Sequence, residues 1–217
     1  VIKVKREKIK IVLPGEVVKV GDIKTTTEVI KLDDKLVSTL IGIPKMKRRR
    51  GERVLSVLPL KTPYIPKEGD IVIGKIVDIG VTNWLVDINS PWKAILPISE
   101  VLSKPVNVSK IELKDYLNIG DLIVARVIAF DLTRDPLLTI KESRLGKATR
   151  GLFLELSSWD WLLLKSKEKT LLRGVKKKAN CNIVLGANYR VLMIGKGLEE
   201  ELKALEIVRE TLGRRST

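Results

Sequence analysis

Apolar residues along this chain recur in short blocks, and the blocks change character twice. Between positions 71 and 141 five runs rich in Val, Ile and Leu follow one another, at 71–80, 84–88, 93–98, 121–131 and 137–141. Gly, Pro, Asn and Asp bound each run, which is the composition of strands separated by turns. One long gap separates the third run from the fourth. Ahead of them, shorter apolar runs at 9–13, 16–20, 36–42 and 54–58 are parted by turn signals at Pro14-Gly15, Gly21-Asp22 and Asp33-Asp34. That pattern predicts a small all-β module. Three prolines between positions 58 and 66 then predict a stiff, extended connector.

Beyond Gly151 the period lengthens. A strand at 152–156 is followed by helices at 159–165 and about 170–179, strands at 182–185 and 190–194, and a last helix starting near Leu198. Leu198, Leu202, Leu205, Val208 and Leu212 recur at spacings of three and four, a core-facing stripe. Five strands with one long gap suit an OB-type barrel. The β-α-α-β-β-α order that follows is the layout of a type-I KH domain. The fold class read from the pattern is therefore multidomain, mainly β plus α/β. It comprises an N-terminal β domain (1–64), a five-stranded OB-type barrel (65–150) and a C-terminal type-I KH-like α/β domain (151–217).

Charge sharpens this picture. The chain has 41 Lys and Arg against 26 Asp and Glu, a net +15, an excess that points to a polyanionic partner. Residues 1–64 hold 16 basic and 7 acidic side chains, residues 65–150 hold 12 and 11, and residues 151–217 hold 13 and 8. The barrel is nearly neutral and its flanks are basic, with the densest run at Lys45-Met46-Lys47-Arg48-Arg49-Arg50. An OB barrel offers a face and rim loops where aromatic rings stack on bases and cations meet phosphates, so single-stranded RNA is the leading partner.

Chemistry is limited by what is missing. Histidine is absent and Cys181 is the one cysteine, so the usual general base, the commonest metal ligand and any single-chain disulfide are unavailable. No carboxylate pair, activated nucleophile or phosphate-cradling glycine loop emerges. The expectation is a protein that is not an enzyme and has neither cofactor nor metal site. No apolar run has the length of a membrane span, and the charged start from Lys3 is unlike a signal peptide. No membrane partner and a cytoplasmic setting are expected.

The RNA-binding candidates fall in three groups, each with a plainer reading beside it. Trp84 opens the second barrel strand and either stacks on a base or plugs the barrel end, and Lys93 follows Trp92 in the next turn. Arg134 sits in the turn before the fifth strand, with Lys141 and Arg144 just beyond it; they grip phosphates or are simply solvated. A working KH domain clamps RNA with Gly-x-x-Gly between its first two helices. The corresponding stretch here is Leu164-Lys165-Ser166-Lys167-Glu168-Lys169-Thr170. Any grip there comes from Lys165, Lys167 and Lys169 as point charges, the alternative being a charged surface loop. Asn188 and Arg190 complete the set, in a 186–190 hairpin whose Gly186 and Asn188 suit positive φ.

The module order and several stretches carry a family resemblance. Leu13-Pro14-Gly15-Glu16 lies in the first module, and Tyr64-Ile65-Pro66-Lys67 runs into Gly69-Asp70-Ile71-Val72-Ile73-Gly74. Trp84-Leu85-Val86-Asp87-Ile88, Pro91-Trp92-Lys93-Ala94-Ile95-Leu96-Pro97 and Asp135-Pro136-Leu137-Leu138-Thr139-Ile140-Lys141 follow. On these residues the chain resembles the archaeal exosome RNA-binding cap subunits of the ribosomal-RNA-processing-protein-four family, built of an N-terminal β domain, an S-one barrel and a KH domain. Relatives have Gly-x-Asn-Gly in the KH hairpin; here Gly186-Ala187-Asn188 match and Tyr189 replaces the last glycine.

The resemblance implies a non-catalytic subunit docked through its first module. Three copies, or copies mixed with the other type of cap subunit, would form a trimeric cap on a hexameric ring of RNase-PH-like subunits. The ring would phosphorolyse RNA from its 3′ end, and this chain would bind the RNA and thread it into the pore. The alternative is an S-one/KH RNA-binding factor of transcription elongation or ribosome function, whose members usually keep intact Gly-x-x-Gly loops. A polynucleotide phosphorylase tail would place KH before the barrel, and the other exosome cap type needs several cysteines for its zinc ribbon.

Overall fold

In the computed structural model the described residues are 11–49, 51–60, 62–102 and 112–213, with the side chains of Lys47 and Arg49 excepted. They fall into two compact units, 1–62 and 63–217.

The first unit is all β. Its strands are β1 (Val17–Val20), β2 (Lys24–Thr25), β3 (Val29–Leu32), β4 (Lys35–Ser38), β5 (Gly42–Arg49) and β6 (Glu52–Pro59). They form two three-stranded sheets, ordered β1-β4-β3 and β2-β6-β5. Leu13 to Glu16 makes the turn its sequence asks for: Pro14 fixes one φ, Gly15 takes φ +84°, and the Glu16 amide donates to the Leu13 carbonyl at 3.0 Å. Val12, Val29, Leu36, Leu55 and Val57 form the small core. The apolar run 36–42 divides between β4 and β5, and the basic stretch after Lys45 is not a loop but part of β5, paired along its length with β6. Of that stretch, Arg50 and the side chains of Lys47 and Arg49 lie outside the described residues.

The second unit opens with the barrel. Its strands are β7 (Ile71–Ile79), β8 (Asn83–Asp87), β9 (Ala94–Pro97), β10 (Leu122–Ala129) and β11 (Leu137–Thr139), each within two residues of its sequence-predicted span. Antiparallel pairs β7-β8, β8-β9, β10-β11 and β7-β10, with a parallel β9-β11 pair, close the five into an OB-type barrel. A further short strand, β12 (Gly146–Ala148), lies on β10 beside β11. The interior holds Val72, Ile76, Trp84, Val86, Leu96, Ile123, Ala125 and Val127, among others, all fully buried.

A three-stranded antiparallel sheet follows, ordered β13 (Leu152–Glu155), β15 (Arg190–Ile194), β14 (Asn182–Leu185). With it come α1 (Ser158–Ser166), α2 (Glu168–Ala179) and α3 (Leu198–Thr211), the expected β-α-α-β-β-α order. Ser157 caps α1 by accepting from the Asp160 amide at 3.0 Å, and Asn180, at φ +49°, ends α2. One face of the sheet packs on the helices through Val191 and Met193. The other meets the outside of the barrel, where Leu192, Phe153 and Val184 pack with Ile73 and Val124. This explains why β7 and β10 read as continuous apolar runs rather than alternating ones: both faces are covered.

Candidate nucleic-acid interface

Three of the sequence candidates turn out to be structural. Trp84 is wholly buried, and its Nε1 donates to the Leu117 carbonyl at 3.0 Å. The indole is part of the barrel core, and its burial rules out stacking on a base. Asn188 is equally buried. Its Oδ1 accepts from the Ile73 amide at 3.2 Å, and its Nδ2 donates to the carbonyls of Ile73 at 2.8 Å and Ile88 at 2.9 Å. Arg190 is 3% exposed and donates to the carbonyls of Asp87 and Ile73 and to the carboxylates of Asp87 and Glu155. Neither residue has a surface to offer RNA.

The register shows why these contacts exist. On β7, Lys75 is the last residue with a partner in β8, opposite Asp87, so Ile73 and Ile71 extend past the end of that strand. The hairpin between β14 and β15 fills the gap: Ala187 donates to the Ile71 carbonyl at 2.7 Å, and the Asn188 side chain imitates a strand's amide on Ile73. Burial alone would raise the Asp87 carboxyl. The hydrogen bond and charge of Arg190 outweigh it and hold that group below its ordinary range.

Positive φ in this hairpin falls on Tyr189, at +62°, and not on Gly186 or Asn188 as the sequence suggests. Such a backbone costs a bulky residue about 1–3 kcal/mol. The ring recovers a comparable amount by meeting Tyr64 and Trp161 edge-on, at 6.2 and 5.5 Å, since an aromatic pair contributes roughly 0.5–1.5 kcal/mol. Gly186 answers to space instead: a Cβ there would lie 2.4 Å from Asn188 Oδ1.

What remains exposed gathers at two places. The first is one rim of the barrel. Parallel pairing of Ile95 with Leu137 brings the segment before β9 to the same end as the turn before β11. There Trp92 meets Phe130 edge-on at 5.1 Å, and Lys93 and Arg134 are both exposed beside them. Asp131 accepts from the Thr133 hydroxyl and amide, which with the nearby Arg134 charge keeps its carboxyl below the ordinary value. Among the described residues neither Lys93 nor Arg134 forms an ion pair. Asn89 donates to the Asn188 carbonyl at 3.0 Å, so the buried hairpin also anchors the loop that carries Trp92 and Lys93. The aromatic half of this rim is Trp92 with Phe130, a pair that sequence alone does not bring together.

The second place is a groove of about 840 Å³ between barrel and C-terminal module, lined by Arg126, Glu142, Arg144, Trp161, Lys165 and Leu172, among others. Glu142 holds Arg126 in a two-point ion pair, and Glu168 holds Lys165. Arg144 is exposed and has no ion pair among the described residues. Lys141 sits 3.7 Å from Glu100. The stretch 164–170 is not a loop: α1 and α2 abut at Lys167, which donates to the Thr211 carbonyl, while Lys165 belongs to α1 and Lys169 to α2. Among the described residues no cluster of three or more Cys, Asp or Glu is placed to hold a metal ion. No helix among them is long and apolar enough to cross a membrane.

Residues 63–129 match the family described as RRP4, S1 domain. The exosome complex component Rrp4 of Thermofilum pendens is 41% identical over 187 residues, covering 86% of this chain and 78% of that protein. The protein of the same name from Ignisphaera aggregans is 33% identical over 189 residues, with 84% and 75% covered. That from Nitrosopumilus maritimus is 32% identical over 207 residues, with 94% and 90% covered. A crystal structure of a candidate exosome complex RNA-binding protein shares the fold with a TM-score of 0.64 and 33% identity, over 72% of this chain and 89% of that one.

Proposed function

This chain belongs to the Rrp4 family, and on that premise we propose that it is a non-catalytic RNA-binding subunit of an archaeal exosome, acting in the cytoplasm. It caps a hexameric ring of RNase-PH-like subunits, in three copies or mixed with the other cap type, and feeds single-stranded RNA into a pore where the ring phosphorolyses it. The first unit, rich in Lys and Arg, docks on the ring; the barrel rim meets the RNA. The observation that carries this reading is the juxtaposition of the Trp92–Phe130 ring pair with the exposed Lys93 and Arg134, neither of which forms an ion pair among the described residues. An aromatic surface beside exposed cations suits stacked bases and passing phosphates without sequence readout.

Reconstitution with ring subunits tests it. The chain alone should leave RNA intact in phosphate and magnesium, should join the ring in a complex whose native mass fits three copies, and should speed degradation of long single-stranded RNA. Failure to join the ring, or degradation by the chain alone, would overturn the proposal.

A further inference from the structure

The leucine stripe of α3, expected to face the core, does so only in part. Val208 is buried and Leu205 half-buried, but Leu198 is 65% and Leu202 46% exposed. The helix turns Glu201, Ala204 and Val208 inward instead, so Leu198, Leu202 and Leu205, at i, i+4 and i+7, run along its flank. Ile207, which faces Gly174 of α2, lies on the opposite flank. The stripe therefore looks away from α2, and among the described residues no element covers Leu198 or Leu202.

Beside that flank the sheet ends. β13 is paired to β15 alone, and α3 lies across both. The Leu156 amide donates to the Tyr189 carbonyl at 2.9 Å, continuing the register that sets Leu154 opposite Val191 and Leu152 opposite Met193. In an antiparallel ladder alternate residues bond to the same neighbour, so Leu152, Leu154 and Leu156 serve β15 while the amides and carbonyls of Phe153 and Glu155 point out of the sheet edge. Such an edge is a template for another strand.

This edge fits a copy of itself. A two-fold axis at Leu154 sets Phe153 opposite the second copy's Glu155, and residues so placed exchange amide and carbonyl bonds in both directions. Strands stand about 4.8 Å apart, so helices lying across β13 and β15 come to about 10 Å from each other over the joined sheet, the spacing of packed helices. Run antiparallel, the stripes set Leu202 against Leu205 and Leu198 against Arg209. Arg209 is exposed, has no ion pair among the described residues, and on that arrangement reaches the second copy's Glu199.

We infer that a second copy of this chain covers the β13 edge and the α3 stripe, joining two C-terminal modules through one continuous sheet. The surface lies at the opposite edge of the sheet from β14, so the pairing leaves the barrel rim and the groove open. It also uses nothing of the first unit, which the docking proposed above needs. Charge opposes it at a distance: each chain carries +15, a repulsion that is strong at low salt and screened at physiological salt. The dimer therefore tightens as salt rises, the reverse of binding to RNA.

Sedimentation equilibrium on the full chain, at low and at physiological salt, tests it. The unaltered chain should pass from monomer to dimer with rising concentration, and sooner in the higher salt. Leu198→Ser with Leu202→Ser changes exposed side chains only and should melt as the parent does. It should raise the dimer dissociation constant about a hundredfold, the effect of two leucines lost from a shared apolar surface. Leu154→Cys gives an independent readout: across the two-fold the facing Cα atoms stand about 4.5 Å apart, within reach of a disulfide, so copper-phenanthroline should link this variant into dimers. Val81→Cys, at a position 86% exposed on a barrel turn, should stay unlinked in the same oxidant. A chain that remains monomeric in both salts would overturn the pairing and hand the edge to an extended segment of another protein. A dimer indifferent to the leucine variant, with no link at position 154, would overturn it as well.

Discussion

Asn188 grips both hydrogen-bonding groups of the Ile73 backbone, 115 positions earlier in the chain, and by doing so supplies β7 with the strand neighbour that β8 stops short of providing. A matched residue of the family signature is therefore a device for joining barrel to C-terminal module, not a contact for ligand. The same hairpin reaches the rim through Asn89, whose side-chain amide donates to the Asn188 carbonyl.

Replacing Asn188 by Ala should leave the Ile73 amide and the Ile88 carbonyl buried without the partner they have now, and the Ile73 carbonyl with Arg190 alone. At about 1–3 kcal/mol for each group so stranded, the second unit should lose several kcal/mol in urea unfolding. Asn188→Asp should be worse, because a carboxylate would face the Ile73 and Ile88 carbonyls. Variants that unfold like the parent would show that water can replace the side chain.

The Asp87–Arg190 pair makes stability depend on acid. The Asp87 carboxyl sits below its ordinary value of 3.8 in the folded chain, so folding binds fewer protons there than unfolding does. Its contribution is complete above that pH and fades as pH falls through the lower native value. Asp87→Asn should flatten part of the acid limb of a stability–pH curve; Asp121, lowered by its Asn118 and Lys147 contacts against the effect of burial, accounts for another part. An identical acid limb in the variant would remove Asp87 from the account.

Trp84→Phe separates core from interface. Loss of the bond to the Leu117 carbonyl should cost about 1–3 kcal/mol of stability, while RNA affinity stays at its parental value. A selective loss of affinity at full stability would return Trp84 to the binding surface.

At the rim, Lys93→Glu with Arg134→Glu should weaken RNA binding severalfold at low salt and little at high salt, because counterion release carries such contacts. In the assembled complex, degradation of long single-stranded RNA should slow while the ring alone and cap assembly are unaffected. Full stimulation by the double variant would mean that the rim faces solvent or another subunit.

Strand positions in the second unit were legible because two-faced burial leaves unbroken runs of Val, Ile and Leu bounded by Gly, Asn and Asp. The β3–β4 hairpin and the length of β5 were harder, since strands in a thin module expose one face and β5 interrupts its apolar residues with cations. Site residues were the least legible. Trp84, Asn188 and Arg190 look like ligand contacts because indole, amide and guanidinium are the groups that bind RNA, and the same groups satisfy backbone carbonyls when buried. Lys93, Arg134, Arg144 and Lys165 did reach the surface, where little but charge constrains them. The pairing of Trp92 with Phe130 spans 38 positions, and no local pattern announces it.

Because β7 is covered on the inside by barrel residues and on the outside by Leu192 and its neighbours, the sequence boundary near Gly151 does not mark a detachable piece. Cut there, the barrel would carry a greasy flank of Ile71, Ile73, Leu122 and Val124 and an unpaired stretch of strand, the recipe for self-association. Recombination that trades one C-terminal module for another must therefore bring its own matching hairpin. On heating, barrel and module should melt as a single calorimetric transition.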